Sequence, residues 1–183
     1  MDAKANPARK HILQTQRLQL VQMRAQDIEF VARMLADSDV MRFYPHVYTR
    51  VQAVDWLNRQ IARYAEHGHG LWLVLDANTG APIGQVGLIT QYLPWGEEAE
   101  IGYLIDKAYW RRGYATEAAL GVRRYAFDTL SLDRVISLIR PINLPSHGVA
   151  RKLSMQRERS AMFKGFEHDV MTVSPKTVRC DAG

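Results

Sequence analysis

The segment 109-YWRRGYATEAAL-120 joins the end of a strand pattern to the start of a helical one. Two arginines precede Gly113, and a run of small apolar residues follows it. Gly113 can adopt a positive φ at little cost, so the turn can direct successive backbone N–H groups into one concavity. The helix behind it would begin with unpaired N–H groups and roughly half a positive charge. The segment therefore predicts an anion site, and the alternative is a plain β–α turn carrying two solvated arginines.

Regular patterns continue on both sides of this segment and predict a mixed α/β protein. The strand 99-AEIGYLID-106 precedes the turn, and a helical pattern runs from about residue 115 to 130. Thr49, with Gln52 three residues later, forms a capping-box pattern that predicts the start of another helix. Further strands are predicted at 17–24, 71–76, 82–92, 134–140, 155–163 and 166–173, and further helices at 27–36, 49–67 and 146–153.

The composition is that of an ordinary globular protein. The 183 residues are 47% hydrophobic and 23% charged, which favours one domain with its own core. We expect this domain to span 13–175, with a flexible arm at 1–12 and a tail at 176–183. The N-terminus lacks the apolar stretch of a secretory signal, and no apolar run approaches the roughly 20 residues of a membrane helix. A cytoplasmic location without membrane contact is therefore expected.

The single cysteine and the net charge narrow the function classes. Cys180 alone excludes an intramolecular disulfide framework and a cysteine-based zinc site. The histidines show no H-x-x-x-H spacing, so no metal is expected. The net charge of +5 fits an anionic ligand or a scattered solvated surface. The excess is too modest to indicate a nucleic-acid partner, and the aromatic motifs of RNA-binding strands are missing from the sequence.

The stretch YWRRGYATEA resembles the acyl-CoA-binding motif of the GCN5-related N-acetyltransferases (GNAT), most of all the branch with the ribosomal-protein alanine N-acetyltransferases. The family pattern is Gln or Arg, two residues, Gly, one residue, then Gly or Ala. Gly113 and Ala115 match it, and Trp110 takes the first place, as that branch tends to show.

Shorter fragments extend the resemblance over nearly the whole chain, in the order and spacing of that branch. One departure is Ser154, which replaces the glycine of a K-L-G-[FM] fragment. The matching fragments are Thr15-Gln16-Arg17-Leu18, Asp39-Val40-Met41-Arg42-Phe43, Ile83-Gly84 with Gly87-Leu88, Glu100-Ile101-Gly102-Tyr103 and Asn143-Leu144-Pro145-Ser146.

The resemblance implies a fold, a reaction and two ligands. The expected fold is a mixed, mostly antiparallel sheet of about seven strands with four helices and a splayed cofactor cleft. The expected enzyme transfers an acetyl group from acetyl-CoA, as cosubstrate, to the primary amine of a small molecule or a protein N-terminus, by direct attack in a ternary complex. The alternative is a non-catalytic acyl-CoA-binding sensor or interaction module. Homodimers are common in the family, but the sequence specifies no interface.

The same resemblance assigns the cofactor site. In the family, backbone groups of the motif hold the pyrophosphate, and a strand splayed at a bulge pairs with the pantetheine arm. An N–H of that strand would also polarise the thioester carbonyl. Residues expected to contact acetyl-CoA are Tyr103, Leu104, Ile105, Arg111, Arg112, Gly113, Tyr114, Ala115, Thr116, Asn143 and Ser146.

Two residues are expected to take part in the chemistry. Glu100 stands in the cleft strand where many resembling enzymes carry an acidic base; a structural carboxylate, or action of Glu97 or Glu98 through water, is the alternative. Ser146 matches a serine near the sulfur and could donate a hydrogen bond to the leaving thiolate, or merely satisfy a helix start. The tyrosine that many relatives use as the acid is here Ala150.

The acceptor site is expected, by resemblance, between the aromatic link at 41–48, the start of the second helix and the loop 93–97. Phe43, Tyr44 and Trp95 are the residues predicted to bind the acceptor there. Plain packing is the alternative role for these aromatic side chains.

Overall fold

A computed structural model describes residues 9–175 of the chain. The predicted tail at 176–183, with Cys180, and the first eight residues of the predicted arm lie outside the described residues. Within 9–175, no helix is long and apolar enough to cross a membrane.

One eight-stranded sheet forms the frame, in the order β1-β2-β3-β4-β5-β6-β8-β7. Every neighbouring pair is antiparallel except β5 and β6, which are parallel. The predicted mixed, mostly antiparallel sheet is confirmed. The strands are β1 (His11–Gln14), β2 (Leu18–Val21), β3 (Leu71–Asp76), β4 (Pro82–Leu93), β5 (Gly96–Ile105), β6 (Val135–Ile139), β7 (Gln156–Phe163) and β8 (Phe166–Val173).

The additional strand, compared with the seven that the sequence patterns predict, is β1. It begins at His11, inside the stretch expected to be a flexible arm. It pairs with β2, with His11 opposite Val21 and Gln14 opposite Gln19. Ile12 and Leu13 pack against the main core cluster. Four residues are too few to show a reliable alternation, so only the packing reveals this strand.

Four helices cover the two faces of the sheet, as predicted. They are α1 (Ile28–Ala36), α2 (Arg50–His67), α3 (Tyr114–Arg124) and α4 (Leu144–Lys152). The pattern predicted at 115–130 becomes α3 followed by a π-helical turn, Tyr125–Thr129. Buried residues of α3 and α4 join one apolar cluster, whereas those of α1 and α2 join another that contains the opposite side chains of β3 to β5. The two helix pairs therefore lie on opposite faces.

Two positions of β4, Gly84 and Gly87, leave no space for a side chain. A Cβ added at Gly84 would meet the Leu104 carbonyl, and one added at Gly87 would meet the Gly70 carbonyl, both closer than real Cβ contacts allow. The neighbouring backbones can therefore approach β4 only because it has no side chain at these positions. The approach at Gly84 is made by β5 and the one at Gly87 by the start of β3, and β5 pairs with β4 along its whole length.

The other edge of β5 opens into a fork. β5 pairs with β6 only at Glu100 and Ile136, and no pairing of the two described strands continues beyond it. From that point toward Ile105 one edge of β5 faces a gap. This is the splayed cleft expected from the resemblance.

Candidate active site

The backbone of β5 presents unpaired groups to the gap between β5 and β6. Asp106 donates its N–H to the Ile83 carbonyl at 2.9 Å, and the β4–β5 register is continuous. Because hydrogen-bonding direction alternates along an antiparallel strand, the backbone groups of Tyr103 and Ile105 point away from β4. Leu104, predicted with them to contact the cofactor, turns its backbone groups toward β4.

Side chains already occupy part of this edge. The Ser137 hydroxyl donates to the Ile101 carbonyl at 2.8 Å, and the Trp110 indole N–H donates to the Ile105 carbonyl at 2.7 Å. The Tyr103 N–H and carbonyl and the Ile105 N–H are the remaining groups at the fork. An extended chain with amide groups, such as a pantetheine arm, can pair with them as an added strand would.

The Trp110 bond gives the first position of the loop motif a structural role that the sequence did not reveal. The indole ties the turn before α3 to the end of β5. The guanidinium of Arg42 lies 5.7 Å from the Trp110 ring centroid and 4.6 Å from that of Phe43. Trp110 thus links the fork, the loop and the aromatic link at 41–48.

The loop at the start of α3 has the backbone shape of an anion site. Arg111 has φ of 61° and Gly113, the N-cap, has φ of 81°, both in the left-handed region. No side chain caps the helix, and its first bond to the N-cap runs from the Glu117 N–H to the Gly113 carbonyl at 3.0 Å. The N–H groups of residues 114–116 therefore precede any intrahelical bond and are available to an anion.

Both arginines of the loop are exposed. Arg112 places its guanidinium 5.7 Å from the Tyr109 ring centroid, and no carboxylate in residues 9–175 pairs with it or with Arg111. Two unpaired positive charges beside open N–H groups fit a diphosphate.

Glu117, in the first turn of α3, anchors this helix to the strand connection at 15–17. It accepts from the Thr15 hydroxyl at 2.7 Å, from the Arg17 N–H at 2.8 Å and from the Arg17 guanidinium at 2.6 Å. Burial alone would raise the pKa of Glu117, but these hydrogen bonds outweigh it and lower the pKa. Arg17 also donates to the Arg112 carbonyl at 3.1 Å. This anchor was not predicted from the sequence, although Thr15 and Arg17 lie in the segment 15–18 and Glu117 lies in the segment 109–120.

Glu100 lies at the fork and lines the cleft that opens there. Its Oε2 accepts from the Gln91 amide at 2.5 Å and its Oε1 from the Leu138 N–H at 3.3 Å. Burial raises the pKa of Glu100, whereas these hydrogen bonds and the charges of Lys164 and Arg63 oppose the rise. The resulting carboxylate is a stronger base than an exposed glutamate.

Neither neighbouring glutamate lines the cleft. Glu98 accepts from the Trp95 indole at 3.0 Å and pairs with Arg134 at 3.1 Å, and Glu97 is exposed on the β4–β5 hairpin. Of the carboxylates in residues 9–175, only Glu100 lines this cleft.

Ser146 and Asn143 line the cleft from the start of α4. Asn143 caps the helix by accepting from the Ser146 N–H at 3.2 Å. The Tyr103 hydroxyl donates to the Ser146 carbonyl at 2.8 Å, and burial raises the pKa of Tyr103. A side-chain hydrogen bond from Ser146 opposes that rise, and Ala150, fully buried, offers no acid.

The cleft has a volume of about 360 Å³ and extends from α4 to the aromatic link before α2. Phe43 and Tyr44, two predicted acceptor-binding residues, line it. Burial of its hydroxyl and the nearby Glu100 charge raise the pKa of Tyr44 to about 12, so this phenol stays neutral.

Trp95, the third predicted acceptor-binding residue, does not line the cleft. The predicted loop at 93–97 is the tight end of the β4–β5 hairpin, where Leu93 pairs with Gly96. Trp95 donates to Glu98 there, and the Arg159 guanidinium lies 5.1 Å from its ring centroid. Those contacts hold it on the hairpin, apart from the cleft.

The structure adds polar residues to the acceptor end that the sequence analysis did not identify. Arg59, Gln60 and Arg63 of α2 line the cleft, as do Gln85 of β4 and Lys164 of the β7–β8 turn. The four-residue spacing of Arg59 and Arg63 was the available signal, because residues four apart share one face of a helix. No group of three or more His, Cys, Asp or Glu side chains placed to hold a metal occurs in residues 9–175.

Comparisons with known proteins agree with this geometry. Residues 17–156 match the family described as acetyltransferase (GNAT) domain. YnaD of Bacillus subtilis, an uncharacterized N-acetyltransferase, is 32% identical over 79% of this chain and 82% of its own length. An acetyltransferase structure from Agrobacterium tumefaciens is 27% identical with a TM-score of 0.77, over 88% of this chain and 92% of that one.

A more distant structure contains a ligand. RimL, a ribosomal L7/L12 alpha-N-protein acetyltransferase in complex with coenzyme A, superimposes with a TM-score of 0.72 at 17% identity. The match covers 89% of this chain and 96% of RimL.

Proposed function

The chain belongs to the GNAT family and is an acetyl-CoA-dependent acetyltransferase; from that premise we propose that it acetylates a primary amine by direct attack within a ternary complex. One observation carries the proposal. The unpaired backbone groups and the carboxylate of Glu100 both belong to β5 at its fork with β6, and the Trp110 indole ties the loop before the open N-terminus of α3 to the end of the same strand. A donor site and a base therefore stand together.

The backbone around the fork would hold the donor. The N–H groups at 114–116, aided by Arg111 and Arg112, fit the diphosphate of coenzyme A. Tyr103 and Ile105 fit the amide groups of its pantetheine arm. RimL, of the same fold, binds coenzyme A, which supports this assignment. Acetyl-CoA supplies an activated acetyl thioester.

Glu100 would prepare the acceptor. A primary amine reaches the protein largely protonated and must lose a proton before it attacks a carbonyl. The Glu100 carboxylate is partly shielded from water, and its pKa is raised by burial, so it can accept that proton more readily than an exposed carboxylate. The N–H groups at the fork can donate to the carbonyl oxygen as negative charge develops on it.

Ser146 would assist departure of the thiolate. Ser146 lines the cleft, its carbonyl and N–H are fixed by Tyr103 and Asn143, and its side chain hydrogen-bonds Tyr103. A free thiol titrates near pH 8.5, so a thiolate leaves tolerably well and needs only a hydrogen bond rather than a strong acid. The buried Ala150 is consistent with this weaker assistance.

The proposal is tested by combining binding with turnover. Acetyl-CoA should raise the melting temperature, because a ligand that binds only the folded state stabilises it. Free thiol should then appear when amines or N-terminal peptides are added, with one acetyl group on the acceptor per thiol released. Binding without acceptor-dependent thiol release across the screen would instead favour an acyl-CoA sensor, and no thermal shift at millimolar acetyl-CoA would contradict the donor site itself.

A further inference from the structure

The acceptor end of the cleft is unusually rich in positive side chains for a pocket that must admit an amine. Arg59 and Arg63 line the cleft from α2, Arg140 lines it from the end of β6, and Lys164 lines it from the β7–β8 turn. Glu100 is its only carboxylate among the described residues. A site with this balance repels a plain ammonium ion unless the same molecule also carries negative charge.

The arginines of α2 are not explained by the donor. α2 packs with α1 on one face of the sheet, whereas α3, whose N-terminus fits the diphosphate, packs on the other face. Within residues 9–175, neither Arg59 nor Arg63 lies within ion-pair distance of a carboxylate. Their charges therefore remain available to a ligand in the cleft.

Arg63 is also held in place. Gln60 is only 3% exposed, and its Oε1 accepts from an Arg63 Nη1 at 3.2 Å. A buried amide that fixes one nitrogen of a guanidinium leaves the remaining donors with a defined direction. Arg59 precedes Arg63 by one turn on the same cleft-lining face.

A second, independent feature also indicates a polar ligand here. Gln85 lines the cleft, is only 4% exposed, and its Oε1 has no hydrogen-bond partner within the described chain. A buried acceptor without a partner carries a desolvation penalty, so such groups are normally satisfied by protein, ordered water or a bound molecule. The same cleft is thus lined by an unmet hydrogen-bond acceptor and by two guanidinium groups that have no carboxylate partner among residues 9–175.

From these contacts we infer that the acceptor is a small amine that carries its own anionic group, a carboxylate or a phosphate, which binds Arg59 and Arg63 while the amine approaches Glu100. This inference rests on the proposed acetyl transfer and specifies its substrate. The cleft volume of about 360 Å³ is in the range of small-molecule sites. Gln85 receives a hydrogen bond from a donor group of the same molecule.

The test uses matched pairs of amines that differ only in the anionic group. Amino acids are compared with their decarboxylated amines, and phosphoethanolamine with ethanolamine, by acetyl-CoA-dependent thiol release. We expect the anionic member of at least one pair to have a kcat/KM about tenfold or more above its partner, since a charge-assisted hydrogen bond contributes about that factor. The carboxylate and phosphate arms show which anion the site takes.

Single substitutions then show which residues produce the preference for the anionic amine. Arg63→Met should lower kcat/KM for the anionic member about tenfold, mainly through KM, and bring the two members of a pair together, while Arg63→Lys retains part of the preference. Arg124→Met, an exposed arginine on α3, is the control and should change neither member. Gln85→Leu should raise the acceptor KM without lowering the melting temperature, because it removes an unsatisfied polar group; a purely structural glutamine would show a lower melting temperature.

Several outcomes would overturn the inference. They are a preference for the member without the anionic group, equal losses for both members in Arg63→Met, or thiol release with peptide N-termini but with no anionic small amine. Each of these leaves the proposed function standing, because acetyl-CoA still binds and is turned over. Failure of acetyl-CoA to stabilise the protein would contradict the proposed function instead, and the two failures are therefore distinguishable.

Discussion

The helices α2 and α3 begin in opposite ways. At α2, the Thr49 hydroxyl accepts from the Gln52 N–H at 3.3 Å and the Gln52 side chain accepts from the Thr49 N–H at 2.8 Å. At α3, the N-cap is Gly113 in the left-handed region, and no side chain caps the first turn. α2 satisfies two of its orphan N–H groups with its own side chains, whereas α3 leaves its orphan groups to a ligand or to water. One helix start therefore serves stability, whereas we propose that the other serves binding.

The largest expected effect comes from changing the conformation of the α3 start. Gly113→Val should weaken coenzyme A binding on the order of a hundredfold, because β-branched residues avoid the left-handed region and the loss of two charge-assisted hydrogen bonds has about that effect. Titration calorimetry measures it. Gly80→Val is the matched control, since Gly80 has φ of 70° in the β3–β4 turn, outside both the loop and the cleft. If both variants bind coenzyme A equally well, the assignment of the loop is wrong.

Next in size is the loss of the base. Glu100→Gln should lower kcat at pH 7 by about 10²-fold. The base acts only when deprotonated, so the wild-type rate falls as pH drops through the pKa of Glu100. Because burial raises that pKa, the fall should begin above the usual carboxyl range.

The pH profile separates this role from a structural one. Glu100→Gln should lack the acidic limb, while Glu97→Gln, which removes an exposed carboxylate outside the cleft, should keep it. A Glu100→Gln profile parallel to that of the wild type would remove Glu100 from the role of base.

A smaller effect is expected at the start of α4. This helix has a side-chain cap, Asn143, as α2 does, and its first residues also line the cleft. Ser146→Ala should lower kcat roughly three- to tenfold, with little change in unfolding free energy, because only one hydrogen bond to the thiolate is lost. Asn143→Ala removes the cap and should lower the unfolding free energy by about 1 kcal/mol. Equal destabilisation by both changes, with unaltered turnover in Ser146→Ala, would make Ser146 purely structural.

The smallest effect on binding is expected at α2. Thr49→Ala should lower the unfolding free energy by about 1 kcal/mol, or a melting temperature by roughly 2–4 °C in a chain of this size. Coenzyme A affinity should stay unchanged, since this helix start satisfies itself. A loss of affinity comparable to that of Gly113→Val would erase the distinction between the two helix starts.

The contrast also explains how much the sequence could predict. The capping box at Thr49 and the Gly113 loop are local features, written in a few adjacent residues, and the structure has both. The fold was predictable for the same reason, because alternation and helical spacing are local patterns. The strand β1 was not predicted, because its four residues are too few to show an alternation of apolar and polar side chains.

The acceptor end could not be predicted in the same way, because it is built by tertiary packing. Arg63 belongs to α2 and Gln85 to β4, and they line the same cleft only after α2 has packed on the sheet. Trp95 was placed at the acceptor site by resemblance, but the β4–β5 hairpin closes at Gly96, and the Trp95 indole donates to Glu98 on that hairpin. Backbone-built sites leave a signature in sequence, whereas sites built from distant side chains leave little.

The most direct test of the central claim is to observe the backbone N–H groups themselves. In ¹⁵N-labelled protein titrated with coenzyme A, the amide resonances of residues 113–116 and of Tyr103 and Ile105 should shift most. Those of residues 50–52 at the start of α2 should remain in place. Large shifts at 50–52, or saturation with coenzyme A that leaves 113–116 unmoved, would contradict the claim that the open start of α3 holds the donor.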